Sequence, residues 1–223
     1  VRTLTPVDGE TFVATIKPLL ERRDLTGVVN AVRSRWEVSQ LIPLLNGPML
    51  DARKLALLTL SWVGDNSCIL PIVKQLRDPD EVIHNTAEHA LYSIFVRSGT
   101  CPANHEVCKG TKALDQGKFD EAMFHFTEAI ELDPSFAEAY NQRATAHYLM
   151  ENFEASIDDC DEAIERMPCH FGAWSGKGHA LLQLNRLYDA ADCYRKAVEI
   201  HPHLHCVKET LAEIDFRLKI MGE

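Results

Sequence analysis

No apolar run in this sequence approaches the roughly 20 residues that a membrane-spanning helix needs. The longest, residues 55–60 with Trp62 and Val63 beyond Ser61, stops far short, so a transmembrane helix is excluded. The opening residues lack the basic-then-apolar layout of a secretory signal, and the chain starts at Val1 instead of Met; this reads as a fragment boundary or a processed end, and a further N-terminal region stays open. Cysteine is present but forms no framework. Seven residues at positions 68, 101, 108, 160, 169, 193 and 206 are irregularly spaced, and an odd number cannot pair completely within one chain. Reduced thiols and a cytoplasmic location are the expectation. Positive charge is also short: residues 1–102 carry 11 Lys and Arg against 11 Asp and Glu, and residues 103–223 carry 12 against 22, so the net charge of −10 sits wholly in the second half. Neither half has a basic stripe interleaved with aromatics, which excludes nucleic acid and an anionic membrane surface as partners. A G-x-S-x-G elbow, a phosphate-cradling glycine loop and a dinucleotide fingerprint are all missing. The chain is therefore read as non-catalytic, with no cofactor and no metal.

What is present is periodicity. Pro134, Pro168 and Pro202 are 34 residues apart, and other positions keep the same phase: Gly110, Ala144 and Gly178; Phe119, Phe153 and Leu187; Ala122, Ser156 and Ala190; Ala129, Ala163 and Ala197. Small residues at fixed places let two antiparallel helices approach closely, while the Phe or Leu fills the space between one hairpin and the next. A single unit of this kind cannot bury its apolar face alone. The turns carry Gly117, Glu151 followed by Asn152, and Asn185; glycine and asparagine tolerate a left-handed backbone. Ser135 with Glu138 three residues on predicts a capping box at the next helix.

With Tyr140 and Trp174 at a leading aromatic position, residues 137–168 resemble a tetratricopeptide repeat, and the resemblance extends over residues 103–202; the first copy departs from it with Glu106. The implied fold class is all-α, a right-handed α-solenoid of antiparallel helix pairs, with repeats at 103–136, 137–170 and 171–202. In residues 203–223, Val207, Leu211, Ile214 and Leu218 at helical spacing predict an amphipathic capping helix.

Upstream, a 31-residue period relates Leu45 to Leu76, Pro48 to Pro79, Arg53 to His84, Ala56 to Ala87 and Leu60 to Leu91. These two copies resemble HEAT-like repeats, with His84 where that family usually has Arg, and residues 1–98 are read as a HEAT-like region. Residues 12–23 and 25–36 read as a further helix pair. The stretch 97–104, with Gly99, Cys101 and Pro102, breaks the helical pattern and divides the two arrays.

The tetratricopeptide resemblance implies a groove on the first helices of the repeats. One subgroup of the family grips a peptide carboxylate there with Lys, Asn, Asn, Lys and Arg. The matching residues here are Val107, Thr111, Gln142, Gly172 and Gly176, none of which matches. A carboxylate would lack the charge-assisted hydrogen bonds that offset its desolvation. The groove is read as mostly uncharged, lined by Val107, Thr111, Asn141, Gln142, Thr145, Tyr148, Ser175, His179 and Leu182 together with Asn104, Leu114 and Glu138. It suits a peptide with apolar anchors.

Two clusters invite a metal reading and are set against it. Cys101, His105 and Cys108 offer three ligands where structural zinc takes four, and His201, His203, His205 and Cys206 would be splayed by a helix start. The run Asp158, Asp159, Asp161, Glu162 and Glu165 lacks the glycine turn of a calcium loop and reads as a solvated acidic face. The expected function is a protein-interaction scaffold that binds a partner peptide or protein without a carboxylate clamp. The alternative is an accessory or lyase-like enzyme subunit, which the HEAT-like resemblance alone implies; homo-oligomer formation stays open.

Overall fold

The computed structural model describes residues 7–221, so the outermost residues of the 1–98 and 203–223 segments, and the reading of the chain start, lie outside them. Every regular element among the described residues is a helix. The chain divides into two compact units, 1–94 and 95–223.

The first unit holds α1 (Gly9–Glu21), α2 (Leu25–Arg35), the short α3 (Val38–Leu41) running into a 3-10 turn, α4 (Leu50–Val63), α5 (Ile69–Gln75) and α6 (Glu81–Phe95), whose last residue opens the second unit. Asp8 caps α1 by accepting from the Thr11 amide at 2.9 Å, and Asp24 caps α2 through Gly27 at 2.8 Å. The 31-residue phase has a packing cause: Leu45, Leu76, Ala56, Ala87, Leu60 and Leu91 are all fully buried. Arg53 donates to the Leu45 carbonyl at 3.1 Å and pairs with Asp78. His84 holds the same loop through its Nδ1, 3.0 Å from the Asp78 carbonyl. A histidine at the arginine's place thus keeps a polar tie with a shorter reach.

The second unit is three helix hairpins and a final helix: α7 (Cys101–Asp115) with α8 (Phe119–Leu132), α9 (Ala137–Leu149) with α10 (Phe153–Arg166), α11 (Phe171–Gln183) with α12 (Leu187–Ile200), and α13 (His205–Met221). The 34-residue phase is visible atom by atom. Positive φ falls at Gly117 (71°), Glu151 (61°) and Asn185 (58°), and each turn closes with the same bond: Lys118 to Ala113, Asn152 to His147 and Arg186 to Leu181, all 2.9 Å. Tyr140 donates its hydroxyl to the Pro134 carbonyl at 3.4 Å, and Trp174 its indole N–H to Pro168 at 2.9 Å, so the leading aromatics fasten each hairpin to the preceding proline. Glu106 cannot donate in this way; it binds Lys109 and His125 instead, both at 2.7 Å.

Two local expectations are corrected. Ser135 does not cap α9, whose N-cap is Phe136; its hydroxyl goes to Asp133 at 2.6 Å, because Asp133 organises the loop. Asp159 does not belong to the solvated acidic face. It is buried, and Arg143 grips it with two bonds of 2.8 and 2.7 Å, so its charge is neutralised inside the hairpin while Asp158, Asp161, Glu162 and Glu165 stay exposed.

Hairpin packing turns on one size pairing. A Cβ built on Gly110 would lie 2.5 Å from the Phe126 ring, and one on Gly178 would lie 2.6 Å from the Tyr194 ring. The middle hairpin reverses the sizes, with Ala144 on α9 and Cys160, 34 residues from both rings, on α10. Gly178→Ala should therefore lower stability despite alanine's better helix propensity, by about 1–3 kcal/mol of overpacking less the ~1 kcal/mol gained in propensity. Urea unfolding checks this, and an unchanged or raised midpoint would contradict the pairing.

Candidate functional site

Helices α7, α9 and α11 lie side by side, and their shared face presents the candidate groove. Its most distinct feature is a half-open cavity of about 130 Å³ between α9 and α11, lined by Asn141, Ala144, Thr145 and Tyr148 from α9, Gly172, Gly176 and His179 from α11, and Ser156 and Cys160 from α10. The cavity has a definite origin. Cys160 stands where Phe126 and Tyr194 place rings in the other hairpins, and a thiol does not fill a ring's space. On the opposite wall Gly172 and Gly176 add no side chain; a Cβ at Gly176 would meet only the Cys160 Sγ, at 3.5 Å.

The expected site residues separate into three groups. Asn141, Thr145, Tyr148 and His179 line the cavity together. Thr111, Ser175 and Leu182 are half-buried beside it, and the two hydroxyls are spent on their own helices: Thr111 on the Val107 carbonyl, Ser175 on Phe171 and Gly172, each at 3.0 Å. Val107 and Gln142 do not line the cavity. Val107 is fully buried in the cluster around Phe126 and Phe136, so it belongs to the core. The Gln142 amide donates to Glu138 at 2.6 Å. Asn104 likewise closes on its own chain, bonding the Gly99 amide at 3.1 Å and the Gly99 carbonyl at 2.9 Å.

Glu138 is the other residue the sequence misplaces. It is buried, and its carboxylate faces His170 Nε2 at 2.8 Å in a pair with side chains 3% and 0% exposed. His170 Nδ1 accepts the Ala173 amide at 3.1 Å as the N-cap of α11, which assigns the proton to Nε2, donating to Glu138. Phe95 stacks on the same ring with centroids 4.5 Å apart. This network is structural: it seats the start of α11, and with it the two glycines of the cavity wall.

Electrically the cavity is quiet. Burial pushes the Cys160 thiol up to about 12, so it stays protonated and serves as an apolar wall instead of a nucleophile. Burial also raises the Tyr194 phenol, whose hydroxyl shares a 2.7 Å hydrogen bond with His179 Nδ1, while desolvation lowers the His179 pKa. Tyr148 receives the Gln183 amide on its hydroxyl at 3.2 Å and packs edge-on to Phe153 at 5.5 Å. Cys101, His105 and Cys108 lie exposed along α7, and among the described residues no group of three His, Cys, Asp or Glu could hold a metal ion.

A stack of helix hairpins joined by identical left-handed turns, with a grooved face made of the first helices, defines a helical repeat fold. The second unit contains tetratricopeptide repeats: family models described as TPR repeat or tetratricopeptide repeat match residues 112–150, 137–168 and 172–204. Among curated relatives, sperm-associated antigen 1 of Mus musculus is 32% identical over 117 residues, covering 52% of this chain and 13% of that protein. The small glutamine-rich tetratricopeptide repeat-containing protein of Dictyostelium discoideum is 35% identical over 107 residues, 48% of this chain and 32% of its own length. The chain thus spans under a third of either relative. Among solved structures, the first TPR of Spaghetti (RPAP3), bound to HSP90 peptide SRMEEVD, aligns with a TM-score of 0.53 at 27% identity, covering 54% of this chain and 98% of that one.

The histidines set a pH dependence. His147 is held below its usual pKa mainly by burial, with Asp159 pulling the other way, and His179 is lowered by desolvation. Both bind protons more readily once unfolded. Their contribution is complete above the unfolded value of about 6.5 and is lost as pH falls below it toward the lower folded values. Between pH 7 and 5.5 the unfolding free energy should fall less steeply in the His147→Gln, His179→Gln double variant than in the parent; equal slopes in urea titrations at each pH would count against this.

Proposed function

We propose that this chain is a non-catalytic protein-interaction scaffold, and that its tetratricopeptide groove takes a peptide segment anchored by one apolar side chain in the α9–α11 cavity. The observation that carries this reading is the cavity itself. At about 130 Å³ it is well below the roughly 300–1,000 Å³ of sites that enclose a whole small ligand, and several times the ~30 Å³ share of one water. It fits one side chain, whose burial is worth about 1.5–3 kcal/mol. Asn141 and His179 line it with polar groups suited to a peptide backbone, and Thr145, whose hydroxyl donates to the Asn141 carbonyl at 3.0 Å, can still accept a bond there. The HSP90 peptide bound by the RPAP3 domain lends support to peptide binding as the mode.

The same reading includes the finer organisation: repeats at 103–136, 137–170 and 171–202, a HEAT-like region before them, and a cytoplasmic setting. The 31-residue burial phase favours the second of these, and free cysteines at all seven positions favour the last.

Filling the cavity from within tests the anchor. The double variant Ala144→Gly, Cys160→Phe copies the glycine-and-ring pairing of the flanking hairpins and should keep or raise the melting temperature. A peptide library displayed on phage and selected on the parent protein should yield peptides sharing an apolar residue, and the double variant should bind them at least about tenfold more weakly, the equivalent of ~1.4 kcal/mol. Undiminished binding by the filled variant removes the cavity from the account.

The missing clamp makes a separate statement. With Gly172 and Gly176 in place of cations, peptide SRMEEVD should show a Kd no tighter than about 1 mM, near −4 kcal/mol, by fluorescence anisotropy. Micromolar binding would show that the carboxylate is held by other groups.

A further inference from the structure

Helix α13 starts at His205, 34 residues after Phe171 starts α11, and packs on α12 as α9 packs on α8 and α11 on α10. It occupies the place of a first helix in a fourth unit. Val207 and Ile214, with Leu211 and Leu218 beside them, join the cluster around Tyr194 and supply its capping role. Capping explains only that face. The groove-facing phase of the earlier helices continues along α13: Asn141 and Ser175 lead to Glu209, Thr145 and His179 to Glu213, and Tyr148 and Leu182 to Phe216.

These positions are not those of a solvated cap. Phe216 is 67% exposed and Ile220, one turn on, is 57% exposed. Glu209 and Glu213 are exposed four residues apart, where like charges destabilise a helix. Neither makes an ion pair among the described residues, whereas Asp215 on another side of α13 pairs with Arg195 at 2.5 Å.

We propose that α13 is the end wall of the groove, and that its occupant is a protein segment with an apolar residue in the α9–α11 cavity and Lys or Arg against Glu209 and Glu213. This rests on the groove reading above and adds the sign of the partner. Helices stack about 8–10 Å apart and the cavity lies between α9 and α11, so α13 stands about one and a half spacings away; an extended chain rising about 3.3 Å per residue then places the cations about four residues from the anchor. Phe216 and Ile220 receive the apolar stems of those long side chains, and the Phe216 ring face attracts a cation. Asn141, Thr145, Tyr148, Ser175, His179 and Leu182 bring no carboxylate or ammonium to the face, and the exposed Arg217 one residue past Phe216 is its nearest cation, so the two carboxylates of Glu209 and Glu213 outweigh it.

The test uses two fluorescein-labelled, C-terminally amidated peptides, Lys-Lys-Ala-Ala-Leu-Ala-Ala-Lys-Lys and its counterpart with Glu for every Lys, titrated by anisotropy. Cations on both sides of the leucine make chain direction immaterial. The parent should bind the lysine peptide at least about fivefold more tightly than the glutamate peptide, and the preference should shrink as salt rises. The variant Glu209→Lys, Glu213→Lys should keep its melting temperature and reverse the preference. Ala144→Gly, Cys160→Phe should bind neither peptide. Equal binding of both peptides by the parent, or a preference untouched by charge reversal, overturns the role of α13 while leaving the cavity standing. Full binding by the filled variant overturns the groove reading instead. Failure of both peptides to bind the parent below about 1 mM overturns the inference. So does light scattering that shows a dimer abolished by Phe216→Glu, because a second copy would then cover this face.

Discussion

The second unit depends on how closely the two helices of each hairpin approach, which is set by one small residue facing one larger one. Where Gly110 and Gly178 supply no Cβ, the rings of Phe126 and Tyr194 approach the backbone closely. Each ring is fully buried, and the hairpin is packed to its limit on that line. The middle hairpin keeps the helices in place with identical turns but changes the partners to Ala144 and Cys160. Because neighbouring hairpins hold the spacing, the middle one cannot collapse onto its smaller residues, and the unfilled volume opens on the groove. A repeat array can thus build a pocket by substituting one residue in one copy.

The charge pattern follows a similar division. Acidic side chains that would be costly inside the stack are either paired there, as Asp159 is with Arg143 and Glu138 with His170, or turned outward on α10. The groove is left with hydroxyls, an amide, a neutral imidazole and glycines. On the proposed reading such a surface lacks cations for a free carboxylate, with Gly172 and Gly176 on its wall, whereas the RPAP3 domain similar to it is bound to a peptide ending in Asp.

The 34-residue phase was fully legible, since prolines, small residues and turn residues mark the same points in each copy, and the structure returns them as identical turns and proline-bound aromatics. The 31-residue phase was legible as burial but not as geometry, because α3 and α5 are short and mixed with 3-10 turns that spacing does not reveal. Helix phase alone grouped Asn141, Thr145, Tyr148 and His179, and these four line one cavity. Val107 was misplaced because it shares their phase but sits in the first copy, where Phe126 and Phe136 close over it. Glu138 was misplaced because its partner His170 is 32 residues away, beyond any local capping rule. Cys160 is not legible as a wall residue because it lies on a second helix, α10, in a column that otherwise carries core rings. The missing ring in its column was the available signal.

The central claim is that binding happens at the void left by that ring. Isotope-labelled protein titrated with a phage-selected peptide, followed by amide and methyl chemical shifts, tests it most directly. The account expects the largest shifts at Ala144, Gly172 and Gly176, with Phe216 and Ile220 moving when the peptide carries lysines. Shifts confined to the outer acidic residues of α10, Asp158 and Glu162 among them, with Gly176 unmoved, would contradict it.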